Sequence, residues 1–286
     1  MVNHGPVKYS PALLLALALA ACSASRPASQ IASPPARVVA LVPSLVEDLY
    51  AVGAGEAVVG VSAFTGDVAQ TKGLPRVADF ASIDAERIVA LHPDLVLGIP
   101  AQERLIDPLR RAGLRVVLIP DDSYDQIFES LHEVGNLTGH APEARAEIAA
   151  LQAQTARLRA RTRGFARHPS VFVALGSAPI WTVGNGSYIA TLVRMAGGRN
   201  AASDLPGAYG EYSAEALLRD DPDAIVTDRA TQLESVLDRE PWRSLRAVRL
   251  HRVYLVEPSA MLERPGPRYN QGLQWLIERL APLATR

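Results

Sequence analysis

The sequence predicts an α/β protein with two lobes, each built on a mostly parallel sheet, and one long helix between them. Short β-branched runs separated by stretches that can be helical recur in both halves of the chain, a pattern typical of βαβ units covered on both faces. A strong helical pattern occupies the middle, and one helix-turn-strand motif appears on each side of it. The 286 residues, 48% of them hydrophobic, allow a substantial core.

The chain opens with an export signal, which we assign to residues 1–21. The apolar run 11–21 is far shorter than the roughly 20 residues that a membrane-spanning helix needs. Residues 19–22 read Leu-Ala-Ala-Cys and resemble a bacterial lipobox, which predicts a lipid anchor on Cys22. An ordinary secretory signal with a stray cysteine is the alternative. Residues 22–35 carry the lipidated cysteine and a flexible tether rich in Ser, Ala and Pro.

Apolar runs mark the strands of the two lobes. We place the N-terminal lobe at residues 36–141 and the C-terminal lobe at residues 169–286. The predicted strands of the two lobes, in chain order, are 38–42, 58–61, 95–97, 116–119, 171–175, 224–226 and 253–256.

Residues 142–168 predict a single linking helix. Apolar and threonine positions recur there at steps of three and four, Pro142 suits a first helical turn, and the residue before Pro169 avoids helical geometry. A short coiled-coil stripe that would pair two copies is the alternative reading, and we expect a monomer.

An internal repeat links the two lobes. Residues 85–96 align without gaps on residues 214–225, so that a glutamate, an apolar pair and a Pro-Asp turn before a strand coincide. The repeat suggests pseudo-symmetric lobes on either side of the linking helix. A chance match over so few positions is the alternative.

Composition restricts the partners. The formal net charge of −1 argues against a nucleic-acid binder that relies on counterion release. With one cysteine, the chain forms neither an intrachain disulfide nor a thiolate zinc cluster. The histidines are scattered without close ligand spacing, and no resident metal is expected.

Several motifs together resemble the periplasmic binding proteins of the cobalamin and iron-siderophore class, and their closest resemblance is to the cobalamin receptors. The motifs are residues 42–44 with Glu47, residues 60–62, residues 86–96 and residues 264–268. The resemblance covers most of residues 36–286. It implies a class III fold, with two Rossmann-like lobes, one rigid linking helix and a ligand in the cleft between the lobes.

The resemblance also implies a function. The chain would be a lipid-anchored periplasmic protein that delivers a cobalamin-like corrinoid to the permease and ATPase subunits of an ABC importer. An iron-siderophore or haem receptor is the alternative. The corrinoid is transported ligand and not a cofactor. Glu86 and Glu215 match the family's docking glutamates, one per lobe, which pair with arginines on the permease.

By matching position, the resemblance implies a ligand site. The candidates are four aromatic residues in loops after strands and two residues of the stretch 261–264. They would line a cleft with little preformed charge. They are Phe64, Phe80, Trp181, Tyr209, Met261 and Arg264. Two positions depart from the cobalamin receptors: Ala260 and Met261 occupy a stretch that is acidic there, and Phe64 stands where tyrosine is usual.

Other classes find less support in the sequence. The glycines at 53 and 55 lack a third at dinucleotide-loop spacing, and neither a P-loop nor a Gly-x-Ser-x-Gly motif occurs. An exported hydrolase is therefore a minor alternative, and we predict no enzymatic activity. A sensory or structural lipoprotein is the third possibility, which the two docking glutamates oppose.

Overall fold

The computed structural model describes residues 1–2, 33–79 and 81–284. The predicted signal peptide (apart from residues 1–2), Cys22, almost all of the tether and Phe80 lie outside the described residues. Among the residues described, no helix is both long and apolar enough to cross a bilayer. Residues 34–286 form one compact unit, which the following paragraphs describe.

The N-terminal lobe is a parallel sheet flanked by helices, as predicted. Its sheet has five strands in the order β3-β2-β1-β4-β5, with all neighbours parallel. The strands are β1 (Val38–Ala40), β2 (Val58–Ser62), β3 (Arg76–Ala78), β4 (Leu95–Gly98) and β5 (Val116–Leu118). The helices are α1 (Pro43–Ala51), α2 (Ala85–Ala90), α3 (Asp107–Arg111) and α4 (Tyr124–Thr138).

The linking helix is α5 (Ala141–Ala160), which packs on α4 and on the last helix of the chain. Its 20 residues span about 30 Å. The predicted end at residue 168 is wrong by eight residues. Thr162 and Gly164 are poor helix formers, and the backbone N–H groups of Ala166 and Arg167 donate to the carbonyl of Ala284 instead of continuing the helix.

The C-terminal lobe contains two sheets. One is parallel, with strand order β12-β11-β6-β9, and the other is antiparallel, with order β10-β8-β7. The strands are β6 (Ser170–Ala174), β7 (Gly176–Ser177), β8 (Ile180–Val183), β9 (Arg199–Asn200), β10 (Tyr209–Glu211), β11 (Ala224–Thr227) and β12 (Val253–Leu255). The helices are α6 (Tyr188–Met195), α7 (Ala214–Asp220), α8 (Arg246–Arg249), α9 (Ala260–Glu263) and α10 (Tyr269–Ala284).

Alternating side chains divide the interior into three layers. Val38 of β1 and Val171 of β6 point into the largest core, which contains side chains of both lobes. Their sequence neighbours Val39 and Phe172 point the other way, into a separate outer core for each lobe. The shared central core holds the two lobes together beyond the linking helix.

The repeat predicted from the sequence is present in the fold. In each lobe a short helix, α2 or α7, leads through a turn into a strand, β4 or β11. The residue before the turn proline has a left-handed backbone in both copies, with φ of 46° at His92 and 34° at Asp221. Asp94 accepts hydrogen bonds from the backbone just before β1, and Asp223 accepts one from the first residue of β6. Each copy therefore fixes the start of its lobe's central strand.

Candidate functional site

A cleft opens where the carboxyl ends of strands from both lobes meet, the position at which open α/β sheets bind ligands. Its volume is about 650 Å³. The N-terminal wall comes from residues that follow β1, β2, β4 and β5, and the C-terminal wall from residues that follow β11 and β12. Its polar lining includes Ser44, Asp67, Asp121, Asp228, Ser259, Glu263 and Arg264.

The N-terminal wall carries a carboxyl group directly after β5. Asp121 accepts a 2.7 Å hydrogen bond from the hydroxyl of Ser44, a buried residue in the first turn of α1. Burial raises the pKa of Asp121 to about 6, although the bond from Ser44 opposes the change.

The C-terminal wall carries two carboxyl groups, those of Asp228 and Glu263. Burial and the charge of nearby Asp228 raise the pKa of Glu263, at the end of α9, to about 7. Asp228 follows β11 and is held by Thr231, whose backbone N–H and hydroxyl donate to it at 2.9 and 2.6 Å. Both walls are therefore acidic, whereas the sequence led us to expect a cleft with little charge.

One end of the cleft is closed by a four-residue ion-pair network between the lobes. Arg264 and Arg268, before α10, each pair with Glu47 of α1 and with Asp67 in the loop after β2. Burial favours the neutral form of Asp67, but the hydrogen bond from Arg268 and the charge of Arg264 outweigh it and lower its pKa. Only 13% of the Arg264 side chain and 5% of the Glu47 side chain are exposed.

The network changes the role expected for Arg264. Its guanidinium lines the cleft but is bonded to Glu47, to Asp67 and, at 3.0 Å, to the carbonyl of Phe64. The positive charge is thereby balanced within the protein. Arg268 pairs with the same two carboxylates, Glu47 and Asp67, of the opposite lobe.

Three of the predicted aromatics are unusually exposed for large side chains: Phe64 by 44%, Trp181 by 40% and Tyr209 by 41%. Phe64 lines the cleft. Partial burial and the charges of Asp122, Asp121 and Glu263 raise the pKa of Tyr209 to about 12, which places this residue beside the acidic walls.

Trp181 lies on the same small antiparallel sheet as Tyr209. β8 and β10 are antiparallel, with Trp181 opposite Glu211 and Val183 opposite Tyr209. Because residues two apart share a face, Trp181 and Tyr209 lie on the same side of this small sheet. Trp181 is not among the residues that line the cleft itself.

Met261 does not reach the cleft. It is 8% exposed and belongs to the central core, and the lining includes its neighbours Ala260 and Glu263 instead. Helical geometry explains the difference, because adjacent residues of α9 point in different directions. Phe80 lies outside the described residues.

Sequence reasoning missed the carboxylates of the cleft. Asp67, Asp121 and Asp228 each come within five residues after a strand end, and Glu263 precedes Arg264 directly. Applied to every strand, the rule that ligands sit beyond carboxyl ends would have identified the three aspartates. The predicted ligand residues were mainly aromatic, so these aspartates were not among them.

The predicted docking glutamates lie away from the cleft lining, on the repeated helices. Glu86 is in the first turn of α2 and Glu215 in the first turn of α7, and both are exposed. N-cap side chains fix both helix starts: Asp84 accepts from the N–H of Arg87, and Ser213 from the N–H of Ala216. The two carboxylates occupy equivalent places in the two lobes.

Comparisons with known proteins agree on the family. A sequence profile described as "Periplasmic binding protein" matches residues 38–260. An uncharacterised ABC transporter substrate-binding lipoprotein, YvrC of Bacillus subtilis, is 29% identical over 256 residues, which cover 87% of this chain and 81% of the relative. The vitamin B12-binding protein of Pectobacterium carotovorum is 32% identical over 259 residues, covering 87% of this chain and 90% of that protein.

A solved structure has the same fold. The periplasmic haem-binding protein RhuT from Roseiflexus sp. RS-1 superposes with a TM-score of 0.79 and 27% identity, covering 88% of this chain and 99% of that one. The fold prediction is thereby confirmed. Relatives with different ligands share it, so the ligand must be argued from the cleft.

Proposed function

The chain belongs to the periplasmic binding protein family and is a substrate-binding protein of an ABC importer; we propose that its substrate is a cobalamin-like corrinoid, bound between the lobes. The observation that carries this proposal is the acidic cleft. The identity to a vitamin B12-binding protein supports it independently. As a member of a solute-binding family, the protein performs no covalent chemistry.

The cleft chemistry fits an uncharged, amide-rich ligand. The edge of a corrin ring carries primary amides, whose N–H groups donate to carboxylates. Asp121 on one wall and Asp228 and Glu263 on the other accept such bonds. The exposed ring of Phe64, which lines the cleft, covers an apolar macrocycle without requiring charge, and the exposed ring of Tyr209 lies outside the lining but near the cleft carboxylates.

The same chemistry disfavours haem. A haem carries two carboxylates, and the carboxylates of this cleft repel them. Within residues 33–79 and 81–284, Arg264 is the one arginine of the cleft lining, and it is already paired with Glu47 and Asp67. To bind haem, the cleft would need unpaired cationic side chains that donate hydrogen bonds to the two propionates.

Two matched variants test the acidic cleft. Asp121→Asn with Glu263→Gln should weaken cobalamin binding about 10-fold in calorimetry at a pH of about 8, where both carboxyl groups are ionised, because two hydrogen bonds to charged acceptors become weaker. Asp125→Asn with Glu257→Gln removes the same charge from exposed positions and should leave the affinity within about twofold. Equal effects of the two double variants would contradict a role for the cleft carboxylates.

We also propose that Glu86 and Glu215 dock the protein on the permease. Their exposure and their equivalent positions in the two lobes support this role. Replacing both with arginine should abolish stimulation of the importer's ATPase while the affinity for cobalamin stays unchanged. A loss of cobalamin affinity in this variant would contradict the assignment.

The proposed anchor is a lipid on Cys22, which supports a place at the periplasmic membrane surface. Its basis is the lipobox at residues 19–22. Cys22→Ser should move the protein from the membrane fraction to the soluble fraction. Unchanged membrane association would rule out lipidation as the anchor.

A further inference from the structure

Two exposed apolar residues occupy equivalent positions in the two lobes. Large hydrophobic side chains that are exposed are few within residues 33–79 and 81–284: Phe64, Val89, Trp181, Tyr209, Leu218 and Leu250. Three of these are the cleft candidates already described. In the alignment of residues 85–96 on residues 214–225, Val89 coincides with Leu218.

Each of these residues lies one helical turn beyond a docking glutamate. Val89 follows Glu86 by three residues in α2, and Leu218 follows Glu215 by three in α7. Side chains at this spacing are neighbours on one helix face. The residues just before them, Ile88 and Leu217, are fully buried and fix how each helix is turned on its lobe.

Val89 is 38% and Leu218 is 41% exposed. Single exposed apolar residues are common on protein surfaces, but here one recurs at the equivalent position of each lobe, beside the same kind of carboxylate. In the described part of the chain, neither Glu86 nor Glu215 forms an ion pair. Each lobe thus presents a free carboxylate beside an uncovered apolar group.

We propose that Val89 and Leu218 determine the affinity of this protein for its permease, each filling an apolar socket beside a basic side chain. The inference rests on the importer function proposed above. Because the same Glu-apolar pair occurs once per lobe, the surface fits a partner with two equivalent halves, that is, a two-fold symmetric permease dimer. Because the two carboxylates are negative, a complementary partner surface carries positive charge.

The two kinds of residue should act on different steps of binding. Exposed charges act over distance, so Glu86 and Glu215 set the association rate and its dependence on salt. Apolar contacts form only on close packing, so Val89 and Leu218 set the dissociation rate. This separation gives a readout that a general structural defect would not produce.

The experiment measures binding to the importer's permease–ATPase complex in nanodiscs by surface plasmon resonance. The protein is the mature chain with Cys22→Ser, so that no lipid competes. Val89→Ala and Leu218→Ala should each raise Kd about 5-fold, and together about 25-fold, through faster dissociation at every salt concentration. Glu86→Gln with Glu215→Gln should slow association and flatten its salt dependence.

Leu250→Ala is the matched control. Leu250 is 49% exposed but lies outside the repeated motif, so its removal should change Kd less than twofold. Calorimetry with cobalamin and thermal unfolding on each variant verify that the cleft and the fold are intact.

The outcomes separate the two proposals. If the double alanine variant binds the permease within twofold of the parent while the double glutamine variant does not, the apolar contacts are refuted and docking by the glutamates stands. If neither double variant changes binding, the docking proposal fails as well, whatever cobalamin does. A dimer in light scattering that dissociates on loss of Val89 and Leu218 would assign the surface to a second copy and overturn the inference.

Discussion

The outer helices of the two lobes repeat each other, whereas the two walls of the cleft do not. α2 and α7 share a capped start, an exposed glutamate, an exposed apolar residue and a left-handed turn. The N-terminal wall consists of loops after four parallel strands, whereas the C-terminal wall combines the loop after β11 with residues of α9 and its flanks. Repeated surfaces suit a symmetric partner, and unlike walls suit an asymmetric ligand.

The largest loss of stability should come from removing one member of the ion-pair network between the two lobes. Arg264→Met leaves Glu47 buried with one partner fewer and should lower the free energy of unfolding by about 3 kcal/mol. The control, Arg219→Met, removes an arginine that pairs with Asp204 and Asp220 while 61% exposed, and should cost less than about 1 kcal/mol. Urea unfolding measures both, and equal losses would mean that the network does not stabilise the lobe contact.

A smaller effect should distinguish the two copies of the repeat. Asp223 is 3% exposed and is bonded to Ser170, Arg167 and Arg246, whereas Asp94 is exposed and accepts from the backbone N–H groups of residues 36 and 37. Asp223→Asn should cost about 2 kcal/mol of stability and Asp94→Asn less than about 1 kcal/mol. Urea unfolding measures both variants, and equal losses of unfolding free energy would contradict this difference between Asp223 and Asp94.

The smallest effect is a pH dependence from the acidic wall. The folded-state pKa of Glu263 is raised to about 7, so its contribution to stability is fully present below the unfolded pKa, near 4, and is lost as the pH rises through 7. Glu263→Gln should therefore raise the unfolding temperature by roughly 2 to 4 °C at pH 8 and leave it unchanged at pH 4.

A matched variant controls this prediction. Glu257 is exposed, and its hydrogen bonds from Arg229 lower its pKa. Glu257→Gln should therefore give no such gain at pH 8. A gain of the same size at both pH values in Glu263→Gln would show that the carboxyl group does not titrate as described.

The repeated helix-turn-strand motif could be predicted from the sequence, whereas the composition of the two cleft walls could not. Residues 85–96 and 214–225 encode local features, namely a periodic apolar face and a Pro-Asp turn, and each forms the predicted helix and strand. The family resemblance supplied the overall fold, which the comparisons confirm. It also predicted that the chain is not an enzyme, which membership in a solute-binding family confirms.

The missed features depend on contacts between distant parts of the chain. Glu47 and Arg264 are 217 positions apart, so their pairing has no local signature. The burial that raises the pKa of Asp121 and Glu263 is a property of the folded surroundings of each side chain and has no local sequence signature. Met261 was misplaced because one residue of register on α9 decides between the core and the cleft.

The most direct test of the central claim is a calorimetric titration of the chain from Ser23 with cobalamin, haem and a ferric hydroxamate side by side. The acidic cleft predicts saturable one-to-one binding of cobalamin, at micromolar affinity or tighter, and no saturable binding of haem. Saturable binding of haem or the ferric hydroxamate, without binding of cobalamin, would contradict the proposed substrate while leaving the fold and the importer role in place.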